Sequence, residues 1–155
     1  MSAARRFLLA AFVVLLCSTE CKAQQAYVID GDTIVIDRIH YRLHGIDAPE
    51  NGQSCDADSS YKAGQIATAH MKRLIGNQSV TCITTDHDRY GRSIARCGTH
   101  DVPDLGRAMV EDGMAWAYLR YSTDYADAER RARANHLGVH AHQCLVPWIW
   151  RREFK

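Results

Sequence analysis

The first half of the chain alternates apolar and polar positions in short runs. Ala26-Tyr27-Val28-Ile29, Thr33-Ile34-Val35-Ile36 and His40-Tyr41-Arg42-Leu43 each read as a strand, and the turn signal Asp30-Gly31-Asp32 and a polar corner join them into a meander. Gly45-Ile46-Asp47-Ala48-Pro49-Glu50 then breaks the pattern as a polar loop. Ser59 or Ser60 can cap a helix running to about Ile75, where Gly76-Asn77 stops it; its apolar stripe is expected at Ile66, Ala69 or His70, and Arg73-Leu74. Residues 80–84 and 93–97 form two further strands around Asp88-Arg89-Tyr90-Gly91. Helical spacing follows from Asp104 to Gly113 and from Asp124 to His136, where Leu137-Gly138 ends it. This order fits an α+β class, mainly β: a five-stranded Greek-key barrel of the oligonucleotide-binding type decorated with about three helices. No repeat, low-complexity segment or linker interrupts it, so residues 24–155 are expected to form one domain.

The longest apolar run, residues 7–17, follows Arg5 and Arg6 and precedes a polar stretch with small residues at Cys21 and Ala23. At about eleven residues it is shorter than the roughly 20 that a membrane-spanning helix needs. The three-part order is that of a secretory signal peptide over residues 1–23. A secreted or periplasmic mature chain is expected, with no membrane partner and a monomeric state. Of the six cysteines, Cys17 and Cys21 leave with the signal, and the remaining even set reads as two disulfides. If Asp88 faces Gly91 across the hairpin, Cys82 falls opposite Cys97. That leaves Cys55 to pair with Cys144 and tie an early loop to the C-terminal region.

Composition narrows the function. Of 155 residues, 46% are hydrophobic and 24% charged, which excludes disordered and collagen-like chains. The formal net charge is +1; loss of the signal leaves 16 basic and 17 acidic side chains. No basic excess makes nucleic-acid binding the default, so an acidic partner must be held locally. Against that neutral background, acidic residues cluster at strand ends: Asp30, Asp32, Asp47 and Glu50. Converging carboxylates repel and call for a cation, and an oxygen-only set suits Ca²⁺ or Mg²⁺ rather than zinc. The plainer alternative makes Asp30-Gly31-Asp32 a simple turn and Asp47 a loop cap. Arg42 lies five residues before Asp47 and Arg92 opens the fifth strand, so guanidinium groups flank the cluster. Forks of that kind match the charge that builds on a phosphodiester under attack by water. Glu50 is then free to accept the water's proton. As plainer roles, Arg42 pairs on a strand surface and Arg92 is an exposed hairpin cation.

Other candidates are weaker. His136, His140, His142 and Cys144 have transition-metal spacing, but a helix exit and a disulfide account for them. Trp148 and Trp150 offer base-stacking surfaces, with packing on the barrel the simpler expectation.

Three strings, Val28-Ile29-Asp30-Gly31-Asp32-Thr33, Tyr41-Arg42-Leu43-His44-Gly45-Ile46-Asp47-Ala48-Pro49-Glu50 and Asp88-Arg89-Tyr90-Gly91-Arg92, resemble in this order the staphylococcal-nuclease-like (thermonuclease) family. Gly113-Met114-Ala115-Trp116-Ala117-Tyr118 and Pro147-Trp148-Ile149-Trp150-Arg151 are similar to its secreted bacterial members. The resemblance implies a decorated oligonucleotide-binding barrel and Ca²⁺-dependent cleavage of DNA and RNA, leaving 3′-phosphate and 5′-hydroxyl ends. It implies that Asp32 and Asp47 bind Ca²⁺ with the Ala48 carbonyl, that Arg42 and Arg92 stabilise the phosphoryl group, and that Glu50 is the base. It makes Asp30 an outer carboxylate, Arg89 and Tyr90 phosphate contacts, and Tyr118 and Tyr121 flanks of the groove. Ala48 stands where the family often has Thr, which bears on metal affinity. The rival readings are a binding module of the same fold with little hydrolysis, and a disulfide-stapled scaffold that takes Ca²⁺ for stability only.

Overall fold

The computed structural model describes residues 25–155, so the expected signal peptide lies outside the described residues. Strands β1 (Tyr27–Val28), β2 (Thr33–Ile36) and β3 (Ile39–Leu43) form the antiparallel meander, with Val28 opposite Ile34 and Ile34 opposite Tyr41. The first strand is shorter than its apolar run because Ile29 N–H already donates to Thr33 O at 3.0 Å and closes the turn. The other two strands of this sheet are β5 (Thr81–His87) and β6 (Ser93–Gly98). β3 pairs in parallel with β6, which pairs antiparallel with β5, giving the order β1-β2-β3-β6-β5.

A second, two-stranded sheet joins β4 (Ile46–Asp47) to β7 (Trp116–Ala117), with Asp47 opposite Trp116. The sequence pattern assigns β4 to a loop and does not mark β7. Strands of two residues carry no periodicity, and only the tertiary pairing defines them.

Four helices complete the described residues: α1 (Ala63–Ile75), α2 (Leu105–Glu111), α3 (Ala126–Ala134) and α4 (Pro147–Phe154). Together they hold more residues than the seven strands, so the α+β class stands and "mainly β" is too strong. α1 begins at Ala63, past both candidate caps, and Gly76 ends it at φ +55° as expected. Its buried face is Ala63, Gly64, Ala67, Met71 and Ile75. The stripe is therefore set one position away from the one read from the larger side chains, because the small Ala67 seats the helix close to the sheet. Asp104 caps α2 by accepting the Arg107 N–H at 2.9 Å. α4 is an unanticipated element, started by Pro147 in its first turn.

One core runs through the meander, α1, α2 and α3: Ile34, Leu43, Met71, Ala95, Leu105, Met109, Val110 and Tyr125 are all but fully buried. A smaller cluster of Cys55, Ala63, Trp116 and Val139 packs with Cys144, Val146 and Trp148 beneath the C-terminal segment.

Both expected disulfides are present, Cys82–Cys97 and Cys55–Cys144. The hairpin reaches its pairing by a route that the simple register misses. At the turn Asp88 N–H donates to Arg92 O at 3.0 Å, one residue beyond Gly91. A bulge between Thr84 and Asp86 absorbs that residue on the other strand, so Cys82 still faces Cys97.

Candidate active site

The turn between β1 and β2 presents the first two carboxylates. Asp30 Oδ1 accepts the Asp32 N–H at 3.0 Å, which fixes the turn. Gly31 is required by crowding: a Cβ there would lie 2.7 Å from Ala48 Cβ and 3.0 Å from Ala67 Cβ. That close approach lets Asp32 Oδ2 accept the Ala48 N–H at 3.0 Å, tying the turn to the segment after β4. The two loops that carry the acidic strings therefore lie side by side. Asp32 is 3% exposed and Asp47 fully buried.

Arg42 stands opposite Thr33 on β3 and bridges both acids. Its Nη1 donates to Asp32 Oδ1 and its Nη2 to Asp47 Oδ1, each at 2.7 Å. Burial works against the guanidinium's charge, yet Asp32 and Asp47 outweigh it and raise its pKa. Burial raises Asp47 despite its arginine partners. Burial, reinforced by the charge of Asp32, pushes Asp30 up to about 6. Burial is thus the main reason that Asp30 and Asp47 hold their protons more tightly than free carboxyls.

Glu50 follows on the same segment. Its carboxylate accepts from Arg151 Nη1 at 2.8 Å and from Lys155, both on or at the end of α4. Burial would raise its pKa, but these two cations lower it, keeping the group ionised. The loop's shape again depends on a glycine: a Cβ on Gly64 at the start of α1 would sit 1.8 Å from the Glu50 carbonyl oxygen. Gln53, buried beside it, accepts the Glu50 N–H at 3.2 Å.

Arg92 immediately precedes β6, whose Ser93 faces Tyr41 and whose Ile94 faces Arg42 on the neighbouring β3, and it lines the same groove. Asp88 organises the hairpin tip, accepting N–H bonds from Tyr90 at 2.9 Å and Arg92 at 3.0 Å and binding the Arg92 side chain at 2.7 Å. Arg89 donates to Tyr90 Oη at 2.6 Å, and the Arg89 and Arg92 guanidinium carbons lie 4.8 and 5.7 Å from the Tyr90 ring centre. Tyr118 stacks on Trp148 at 5.2 Å and meets Tyr121 at 4.8 Å. Asp30, Asp32, Arg42, Glu50, Arg151 and Lys155, the hairpin residues Asp88, Arg89, Tyr90 and Arg92, and Tyr118, Tyr121 and Trp148 line a groove of about 1480 Å³, open to solvent, together with Arg120, Arg133 and Arg152. Its walls mix eight arginine and lysine side chains with six carboxylates, a small basic excess on a nearly neutral chain.

The structure therefore brings Asp30, Asp32, Arg42, Asp47 and Glu50 into one cluster and places Arg92, Arg89 and Tyr90 at the β5–β6 hairpin tip lining the same groove. Trp148 packs against Tyr118, as the simpler expectation had it. The histidine-cysteine group does not converge: His142 pairs with Asp56 at 2.8 Å and stacks on Tyr61, while Cys144 is in a disulfide. Among the described residues, no three His, Cys, Asp or Glu side chains form a ready ligand set. Arg151 and Lys155 are the residues that sequence reading missed. Two signals pointed toward them: the Pro147–Arg151 string, and the Cys55–Cys144 pairing, which draws the C-terminal segment toward Glu50.

A buried carboxylate cluster bridged by arginine, on the rim of an open groove that arginines line in a decorated mixed sheet, suits the hydrolysis of phosphodiesters. The profile of the family described as Staphylococcal nuclease homologue matches residues 40–142, and the chain belongs to that family. It is 36% identical over 131 residues to an "Uncharacterized endonuclease" of Escherichia coli O157:H7, covering 80% of each chain. It is 33% identical over 168 residues to a "Micrococcal nuclease" of Shigella flexneri, covering 94% of this chain and 91% of that one. An "Uncharacterized endonuclease" of Haemophilus influenzae is 34% identical over 158 residues, covering 96% and 84%. The protein is a nuclease.

Proposed function

We propose that this nuclease is Ca²⁺-dependent and sugar-nonspecific, cutting DNA and RNA to leave 3′-phosphate and 5′-hydroxyl ends. The observation that carries the proposal is the single Arg42 guanidinium spanning Asp32 and Asp47, with Glu50 on the next turn of the same segment. The donor set fits a hard divalent cation: every donor is oxygen, and the carboxylates of Asp32 and Asp47 are joined through one guanidinium. Asp32, Asp47 and the Ala48 carbonyl would hold Ca²⁺, with water completing its coordination. When bound, the ion supplies Lewis-acid stabilisation of the charge that grows on the phosphoryl oxygens.

The chain's own residues supply the rest. Arg42 and Arg92, carried by neighbouring strands and lining the groove, would offer their remaining N–H donors to the equatorial oxygens of a phosphate there. Glu50, ionised and half-buried, takes a proton from water as its oxygen bonds to phosphorus. The bond to the 5′ oxygen breaks, and that oxygen is protonated from solvent. Arg89 and Tyr90 hold the chain at the groove's rim, and Tyr118 and Tyr121 flank it. Two disulfides support an exported, oxidised location for the mature domain, and a monomer has every element of this site on one chain.

Release of acid-soluble nucleotides from DNA and RNA, with Ca²⁺ and with excess chelator, tests the reading. Activity is expected only with Ca²⁺, and Glu50→Gln is expected to abolish turnover while oligonucleotide binding persists. Full activity in chelator refutes the metal role; binding without turnover by the parent protein points to the binding module instead.

A further inference from the structure

α4 reaches the carboxylate cluster from the far end of the chain. Arg151 Nη1 donates to Glu50 Oε1 at 2.8 Å and to Asp47 Oδ1 at 3.0 Å, and its Nη2 donates to Asp47 Oδ2 at 2.7 Å. One planar group thereby spans the proposed metal-binding acid and the proposed proton acceptor. Arg42 spans Asp32 and Asp47 in the same manner, so acids and guanidiniums alternate from Asp32 to Glu50.

Several separate links hold this arrangement. Cys55, five residues after Glu50, is bonded to Cys144, seven residues before Arg151. Gln53 accepts the Glu50 N–H through Oε1 and donates its Nε2 to Leu145 O at 2.6 Å, joining the same two segments through one buried amide. Trp148, one helical turn before Arg151, lies flat on Tyr118. Arg151 also pairs with the buried Asp47, so its loss acts on stability as well, and the melting temperature of each variant separates that effect from turnover. A disulfide, a buried amide and an aromatic stack around one guanidinium serve placement.

We infer that Arg151 is a positioning residue of the hydrolysis, holding the Glu50 carboxylate in the orientation from which it takes the proton of the attacking water. Asp47, fully buried and fixed by Arg42, is the anchor. The inference rests on the reading of Glu50 as proton acceptor. An unrestrained glutamate turns about three side-chain torsions, and misplacement by about 1 Å costs about 10²-fold in rate. The planar fork meets both carboxylates in a fixed geometry, which lysine, a point charge on a flexible stem, does not reproduce.

The test uses the full chain with Arg151→Ala, Arg151→Lys, Glu50→Gln and the double variant Glu50→Gln/Arg151→Ala, measuring kcat and KM on DNA at saturating Ca²⁺ and the melting temperature of each. Arg151→Ala is expected to lower kcat by about 10- to 100-fold while KM moves less than about threefold. Arg151→Lys restores little of that, and guanidinium ion at non-denaturing concentration restores part of the Arg151→Ala rate where ammonium does not. The double variant is no slower than Glu50→Gln alone, because Arg151 acts through Glu50. Arg151→Lys keeps the charge and the aliphatic stem and carries the test if the alanine variant does not fold. A kcat within about twofold of the parent, full recovery with lysine, or losses that multiply in the double variant overturns the inference. Near-parent turnover by Glu50→Gln instead removes the reading on which it rests.

Discussion

The two disulfides close loops of very different length, and their removal separates stability from the seating of α4. Cys55 and Cys144 are 89 residues apart, Cys82 and Cys97 only 15. Loop-closure entropy of the unfolded chain puts the first bridge at about 4.6 kcal/mol and the second at about 3 kcal/mol. Each pair contains one deeply buried sulfur, Cys55 at 2% and Cys97 at 1% exposure, so the cost of truncation to alanine largely cancels in the comparison. Compactness of the denatured state lowers both figures but keeps their order. Cys55→Ala/Cys144→Ala should therefore unfold about 1 M earlier in urea than Cys82→Ala/Cys97→Ala, for a slope of about 1.5 kcal/mol per M. Assayed without denaturant, the long-range variant should also lose turnover, because its bridge holds Arg151 near Glu50, while the hairpin variant should keep most of it. Equal midpoints, or a hairpin variant that unfolds first, would refute the reasoning.

Three further expectations concern single residues. Arg89→Ala removes a cation from the groove's rim and should raise KM several-fold and flatten the salt dependence of binding; a fall in kcat with unchanged KM would contradict that. Gly64→Ala pushes a methyl group into the Glu50 carbonyl and should cost about 1–3 kcal/mol together with most of the turnover, read by melting and hydrolysis; a parent-like melting temperature would show that the loop yields freely. His140 is half-buried with its Nε2 unpartnered, and desolvation holds its pKa below the usual value of about 6.5. The unfolded chain therefore takes up a proton first as pH falls through about 6.5, and stability from this residue is lost on acidification. His140→Phe should flatten the decline in urea midpoint between about pH 7.5 and about pH 5.5; an unchanged slope would assign that decline elsewhere.

Much of the site was legible because its parts are local. Asp30-Gly31-Asp32 carries its own turn chemistry, and the segment from Arg42 to Glu50 places a guanidinium and two acids within nine positions. Cysteine parity and a hairpin register gave both bridges, although the register survived only because the wider turn and the bulge at Thr85 offset each other. The Pro147-Trp148-Ile149-Trp150-Arg151 string was visible, but nothing within it says which carboxylates Arg151 meets.

Sequence by itself determined the α+β class, the order of the main strands, the oxygen-rich cluster and the family, since each depends on spacings of a few residues and on side-chain type. Tertiary structure alone decided the β4–β7 pair, the buried face of α1 and the reach of α4 into the site. Arg151 meets Asp47 and Glu50 across separations of 104 and 101 residues. Such contacts follow from how α4 is pinned by Cys55–Cys144, Gln53 and Tyr118, and their energies belong to the packed structure; no local propensity encodes them.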